Sequence, residues 1–230
     1  MKQKPHFRHE LKYDITFAEY LQLLPRLKAV MQRDPHAGEG GRYRIHSIYF
    51  DNFTDKAVRE KLSGVSRREK FRLRWYNDDF SVIKLEKKMK ENSLCQKFSA
   101  PLTESEFQTI LRGDIAWMKD HGNTLIRELY LKEQTQLLRP KVCVSYLREP
   151  FIYAPGNVRV TFDSDLRSSL YHPFCAGDYL TDIDIRMEPG HMIMEVKYDA
   201  FLPEIIDMLL QIGRPRQTAF SKYVVCRRFG

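Results

Sequence analysis

Hydrophobic and polar positions alternate with a period of two through much of this chain, and each such run predicts a β-strand. The longest is Arg68–Lys90, R-E-K-F-R-L-R-W-Y-N-D-D-F-S-V-I-K-L-E-K-K-M-K. Arg72, Arg74 and Tyr76 share one face; Phe71, Leu73 and Trp75 share the other. Asn77-Asp78-Asp79 is a turn signal. Beyond it Lys84, Glu86, Lys88 and Lys90 alternate with Ile83, Leu85 and Lys87. The spacing predicts a hairpin that sets Arg72 and Arg74 beside Lys84, Glu86 and Lys88. Like charges paired across strands repel, so this row calls for water, carboxylates or a bound polyanion. Taken alone, a hairpin with one solvated face accounts for the stretch as well as an anion-binding face does.

The same habit recurs along the chain. Arg8, Glu10 and Lys12 alternate with Leu11 and Tyr13, and Arg42, Arg44 and His46 alternate with Tyr43, Ile45 and Ser47. Ser93–Pro101 predicts another strand. Val142, Val144 and Tyr146 alternate with Cys143, Ser145 and Leu147, and Arg148 closes the first row. Arg159, Thr161 and Asp163 stand opposite Val158, Val160 and Phe162; Ile193, Glu195 and Lys197 stand opposite Met194, Val196 and Tyr198. Helical spacing takes over after Thr16, with Tyr20, Leu21, Leu24, Leu27 and Met31 on one face. Thr54 predicts the cap of a short helix to Leu62. Thr103-Glu104-Ser105-Glu106 resembles a capping box for a helix to Leu111. Further helices are expected over Leu125–Leu138, from Pro203 to Gly213, and through the tail from Arg214 with Ser221, Lys222 and Tyr223. Asp34–Gly41, with Pro35 and three glycines, is a loop. No repeat, low-complexity tract or linker interrupts residues 1–230, so the expectation is one α+β domain.

Polar strand faces are ordinary in an antiparallel sheet. Here, however, they are dominated by Arg and Lys rather than by Thr, Ser and Gln. A closed barrel would turn those faces inward, with helices covering the apolar exterior, and its basic interior would need an anion. Glu10, Glu86, Asp163 and Glu195 lie in the same rows. Each taken singly reads as a cross-strand salt bridge. As a set they could hold Mg2+ or Mn2+, hard cations that bridge carboxylates to substrate phosphates. His46 reads either as a ligand contact or as an ordinary hydrogen-bonded side chain.

Composition narrows the classes. Of 230 residues, 43% are hydrophobic and 12% aromatic, enough for a real core. Lys and Arg number 38 against 30 Asp and Glu, a formal charge of +8 that favours an anionic partner. Cys95, Cys143, Cys175 and Cys226 form no CxxC pair, which argues against zinc and for reduced thiols in a cytoplasmic protein. No apolar run is long enough to span a bilayer; membrane association would come through a partner. A P-loop, a GxGxxG fingerprint, a G-x-S-x-G elbow and HExxH spacing are all missing.

A set of short motifs in order gives a sharper expectation. They are E-L-K-Y (Glu10–Tyr13), S-I-Y-F-D-N (Ser47–Asn52), F-R-L-R-W-Y (Phe71–Tyr76) and L-E-K-K (Leu85–Lys88). S-Y-L-R (Ser145–Arg148), V-R-V-T-F-D (Val158–Asp163), M-E-V-K-Y (Met194–Tyr198) and F-S-K-Y (Phe220–Tyr223) follow. Each is weak alone, but the ordered set resembles the triphosphate tunnel metalloenzyme superfamily, and within it the VTC-type polyphosphate polymerase domain. That resemblance implies an eight-stranded antiparallel barrel, a tunnel for nucleoside triphosphate and divalent metal, with helices outside. It implies transfer of the terminal phosphate of ATP to a growing polyphosphate, releasing ADP. Lys12, Arg72, Arg74, Lys88, Arg148, Arg159 and Lys197 would grip phosphates. Arg44, Lys84, Ser221 and Lys222 would add substrate contacts. Glu195 would be the main metal ligand, with Glu86, Glu10 and Asp163 as further candidates.

Two departures accompany the resemblance. Eukaryotic members carry a phosphate-sensing domain and a membrane anchor; the expectation here is a bare catalytic domain, as in bacterial relatives. Ala219 stands where some members carry a lysine, two positions before the serine. Hydrolysis of a triphosphate would use the same phosphate ligands as chain elongation. A binding module without turnover is the remaining alternative. Nucleic acid is not the expected partner, because Phe71 and Trp75 point away from the arginine face instead of offering it stacking platforms.

Overall fold

The computed structural model describes residues 8–91, 94–169, 183–184, 190–213 and 216–229. Predicted alternation becomes strand wherever one face is apolar. In chain order the elements are β1 (His9–Thr16), α1 (Phe17–Val30), β2 (Gln32–Arg33), β3 (Tyr43–Asp51) and α2 (Lys56–Leu62). Then come β4 (Arg67–Tyr76), β5 (Asp79–Glu91), β6 (Leu94–Leu102), α3 (Glu104–Arg112) and α4 (Thr124–Thr135). The second half holds β7 (Arg139–Tyr153), β8 (Val158–Ser169), β9 (Ile183–Asp184), β10 (His191–Tyr198), α5 (Glu204–Leu210), β11 (Arg216–Gln217) and α6 (Lys222–Phe229). The sheet order is β11-β1-β10-β8-β7-β3-β4-β5-β6, with β2 on β7 and β9 on β8. This is the mixed α+β class read from the pattern, with eleven strands where the resemblance implied eight. Among the described residues no pairing joins β11 to β6.

The chain forms two compact units. The first comprises Met1–Arg44, Tyr146–Leu166 and Arg186–Phe220. There β1 pairs with β10, and β10 with β8, all antiparallel. Tyr20, Leu23 and Leu27 of α1 and Ile206 of α5 bury against Phe151, Val160, Phe162, Met194 and Val196. Thr16 and Glu19 form a complete capping box at α1, worth about 1 kcal/mol.

The second unit comprises Ile45–Ser145, Arg167–Ile185 and Ser221–Gly230. Its meander β3-β4-β5-β6 is antiparallel throughout. Ile48, Phe50, Phe71, Leu73, Trp75, Ile83, Leu85 and Ala100 form the apolar face, covered by Phe107 and Ile110 of α3 and Ile126 and Leu129 of α4. Lys87 lies on this apolar side, as its place in the alternation requires. Its ammonium meets Glu128 of α4 and Glu69, and Lys132 also meets Glu69. The same ammonium lies over the rings of Phe71 and Phe98, at 5.7 and 5.4 Å from their centroids. A charge that looked misplaced in the sequence is therefore a strand–helix tie.

Several boundaries differ from the expectation. The short helix starts at Lys56, not after a Thr54 cap, because Asn52 Oδ1 accepts from Lys56 N and Asp51 accepts from Ala57 N. α4 stops at Thr135; Leu137 turns into the left-handed region (φ 54°) so that Leu138 can bury before β7 begins. The tail is not one helix: Arg216 and Gln217 pair with β1, and α6 begins only at Lys222. Ser93, at the head of the strand expected before Pro101, and Cys175 lie outside the described residues. No described helix is long and apolar enough to cross a membrane.

Glu133 of α4 is buried, and Arg139 is its ion-pair partner at 3.3 Å. Burial outweighs Arg139 and pushes its carboxyl up to about 7. A carboxyl raised on folding contributes stability at low pH that is lost as pH climbs towards its folded value. Glu133→Gln is therefore expected to flatten the fall in unfolding free energy between pH 5 and 8, by about 3 kcal/mol at most. Urea titrations of both proteins across that range measure it; parallel curves would refute the assignment.

Candidate functional site

In the second unit, register brings the predicted cations onto one face. Arg74 lies opposite Ser47 and Lys84, Arg72 opposite Tyr49 and Glu86, and Lys70 opposite Lys88. On β6, Pro101, Ser99 and Lys97 continue the rows from Lys84, Glu86 and Lys88. Eight cations, Arg68, Lys70, Arg72, Arg74, Lys84, Lys88, Lys90 and Lys97, thus share a face of β4-β5-β6 with the carboxylate of Glu86. Glu86 is buried at the centre. Arg72 Nε donates to it at 2.7 Å, Arg74 approaches at 3.7 Å and Lys97 pairs with its other oxygen. Burial alone would raise this carboxyl, but Arg72, Arg74 and Lys97 hold it far below the usual carboxylate range.

Tyr49 completes the face from β3. Arg72 Nη1 donates to its hydroxyl at 2.9 Å, and Lys70 and Arg72 lie over its ring. Burial opposes ionisation here, yet Arg72, Lys70 and Arg74 outweigh it and bring the phenol down to about 7. Ser221 and Lys222 stand at the start of α6. The next residue, Tyr223, stacks on Tyr49 with centroids 4.8 Å apart. Tyr49 and Lys97 were missed in the sequence. Extending the hairpin register one strand on either side would have found both.

In the first unit a second cluster gathers six predicted residues. Glu10, Lys12, Arg148, Asp163, Glu195 and Lys197 come together on β1, β7, β8 and β10. Lys12 sits 3.3 Å from both Glu10 and Glu195, and donates to Phe220 O at 3.1 Å. Lys197 donates to Glu195 at 2.7 Å. Arg148 forks onto Asp163 at 2.7 and 2.6 Å and reaches Glu195 at 3.1 Å. Burial works against charge on Lys12 and Arg148. The flanking carboxylates, Glu195 and Glu10 for Lys12 and chiefly Asp163 for Arg148, more than offset it and hold both above their usual values.

Three residues fall elsewhere. Arg159, cross-strand from Lys197, is held by Asp34 and by the Tyr43 hydroxyl at 2.9 Å. Arg44 alternates with Tyr43 and Ile45, on the His46 side of β3, and pairs with Asp165. His46 is buried and stacks on Trp75 with centroids 5.0 Å apart, on the apolar side. Asp34 had no sequence signal, since it reaches Arg159 from a loop 125 positions away.

The carboxylates differ in their fitness for a divalent metal. Both oxygens of Asp163 are taken by Arg148, and those of Glu86 by Arg72 and Lys97. Both oxygens of Glu195 are engaged as well, by Lys12 and by Arg148 and Lys197, so Mg2+ or Mn2+ held by Glu195 and Glu10, with phosphates and water completing the shell, would have to displace a cation. Among the described residues, no three carboxylate, histidine or cysteine side chains converge as a protein-only cage.

The VTC domain family matches residues 7–229, nearly the whole chain. The chain belongs to the VTC domain family. Among solved structures, this VTC domain is similar to a candidate adenylate cyclase from Bacillus halodurans, with TM-score 0.54, 13% identity and coverage of 95% of this chain and 97% of that one. A candidate adenylate cyclase from Vibrio parahaemolyticus gives TM-score 0.44 at 10% identity, covering 89% and 83% of the two chains. A conserved hypothetical protein from Pyrococcus furiosus gives 0.44 at 10%, covering 88% and 85%. The first likeness is one of fold. No curated protein matches this VTC domain.

Glu86 can be tested as the counterweight of Arg72, Arg74 and Lys97. Glu86→Gln leaves buried cations without their charge partner, and is expected to cost about 3 kcal/mol of stability. Tripolyphosphate should then raise the melting temperature of the variant more than that of the parent, because it supplies the missing negative charge. Scanning calorimetry with and without the anion reads both effects. An equal or smaller rise would show that Glu86 does not balance that face.

Proposed function

We propose that this VTC domain is a metal-dependent polyphosphate polymerase that moves the terminal phosphate of ATP onto a growing polyphosphate chain and releases ADP. The observation that carries the reading is the face of β4-β5-β6, where eight cations share a face with the carboxylate of Glu86. Such a face suits a chain of phosphates, whose charge repeats at every unit. Arginines fork onto phosphate oxygens while lysines act as point charges. In this reading the strands close as the eight-stranded barrel that the resemblance implies.

Phosphoryl transfer asks little covalent work of a protein; it needs in-line positioning and neutralisation of charge spreading over the moving group. Arg72 and Arg74, held by Glu86, Tyr49 and Ser47, present guanidinium groups whose orientation is set before any ligand arrives. Lys12, Arg148 and Lys197 are pre-oriented likewise by Glu195 and Asp163. Glu195 and Glu10 would hold Mg2+ or Mn2+, which when bound supplies electrostatic stabilisation of phosphate oxygens. No protein nucleophile is required, because the acceptor is the terminal phosphate of the chain.

Incubation of the protein with ATP and Mn2+, with products resolved by gel and ion chromatography, tests this reading. Long polyphosphate with ADP is the expected result. Free phosphate or pyrophosphate without chains would make the protein a triphosphatase, and binding without turnover would make it a binding module. Glu195→Gln is expected to lose metal-dependent turnover while circular dichroism and tripolyphosphate binding match the parent. Full activity in that variant would refute the metal role.

A further inference from the structure

α6 has only eight residues, too few to hold helical form without tertiary support. Its supports lie on two successive turns. Tyr223 is buried, its ring lies on the Tyr49 ring, and its hydroxyl donates to Asp51 Oδ2 at 2.6 Å. One turn on, Arg227 forks onto Asp55 at 2.9 and 3.2 Å. Asp51 is itself fully buried and accepts from the backbone of Asn52, Ala57 and Val58, so it cannot follow a moving helix. The two anchors differ in what they adjoin. Asp55 precedes α2 and pairs with Arg227, whereas Tyr49 accepts from Arg72 of the cation row.

We propose that Tyr223 is a positioning residue: through its bond to Asp51 and its stack on Tyr49 it sets Ser221 and Lys222 against the same anion that Arg72 engages. The role rests on the functional reading above and extends it. Tyr49 contacts both Arg72 and Tyr223, so one aromatic pair ties a guanidinium of the sheet to the start of the helix. Lys222 precedes Tyr223 directly, so a rotation of α6 about its axis would move its ammonium with the ring. The Asp51 bond opposes that rotation, because an aromatic stack alone tolerates sliding while a hydrogen bond to a buried carboxylate has a fixed direction.

Tyr223→Phe keeps the buried ring and removes only the donor. It is expected to raise KM for ATP about tenfold, the loss of one charge-assisted hydrogen bond's worth of positioning, with kcat within about twofold of the parent. In a Lys222→Ala background the same change should add nothing, since the positioned group is already gone. Arg227→Ala, which loosens the far end of the helix, should lower the melting temperature without moving KM. Independent, multiplying effects of Tyr223→Phe and Lys222→Ala would overturn the proposal, as would an unchanged KM in Tyr223→Phe. A parent protein that binds neither ATP nor polyphosphate would instead sink the functional reading, and the positioning role with it.

Discussion

Repulsion between like charges held in register is the constraint on which the β4-β5-β6 face depends. Lys70 opposes Lys88, Arg74 opposes Lys84, and Lys88 opposes Lys97. Directly opposed side chains sit roughly 5 Å apart at Cβ, where two unit charges repel by about 3 kcal/mol at a surface-like dielectric. That repulsion is held in check by Glu86 at the centre and by the apolar face behind, where Trp75, Phe71 and Leu73 are buried against α3 and α4. The core thus supports a face that would not form for its own sake, the pattern expected where a protein gives up stability for a ligand.

The first unit resolves the same problem differently. Around Glu195 three cations, Lys12, Arg148 and Lys197, meet three carboxylates, Glu10, Asp163 and Glu195. Asp163 is spent on Arg148 in a two-pronged pair. Glu195 is shared among three donors, two of which also pair with another carboxylate. A shared carboxylate is the easier one to redirect, because losing one partner leaves the others in place. The geometry therefore separates a structural carboxylate from an adaptable one, a distinction that alternation alone could not draw.

Most of the fold was legible because period-two alternation leaves a strand only one face to bury. The faces of Phe71, Leu73 and Trp75 and of Arg72 and Arg74 followed from that rule, as did the helices opened by the capping boxes at Thr16 and Thr103. The partners of those faces were not legible. Asp34 reaches Arg159, Tyr223 reaches Asp51 and Glu128 reaches Lys87 across long stretches of chain, and sequence spacing carries no record of such meetings. Lys87 shows the consequence: it broke the pattern, and only its helix partners explain why. Arg44 shows the converse, fitting a basic row by type while lying on the other side of its strand.

Charge balance also links metal to substrate. The cluster around Glu195 is neutral as it stands, so a divalent cation entering alone would meet Lys12, Arg148 and Lys197 with no new negative charge to offset it. Accompanied by a triphosphate, the same cation would bring its own counter-charge, and the three cations would turn towards phosphate oxygens. Affinity for metal should then rise in the presence of nucleotide, and by reciprocity affinity for nucleotide should rise with metal. On the β4-β5-β6 face the balance runs the other way: cations outnumber carboxylates, and an anion is welcome without a metal. In the proposed reading the Glu195 cluster would therefore take phosphate together with metal, whereas the β4-β5-β6 face would take phosphate alone.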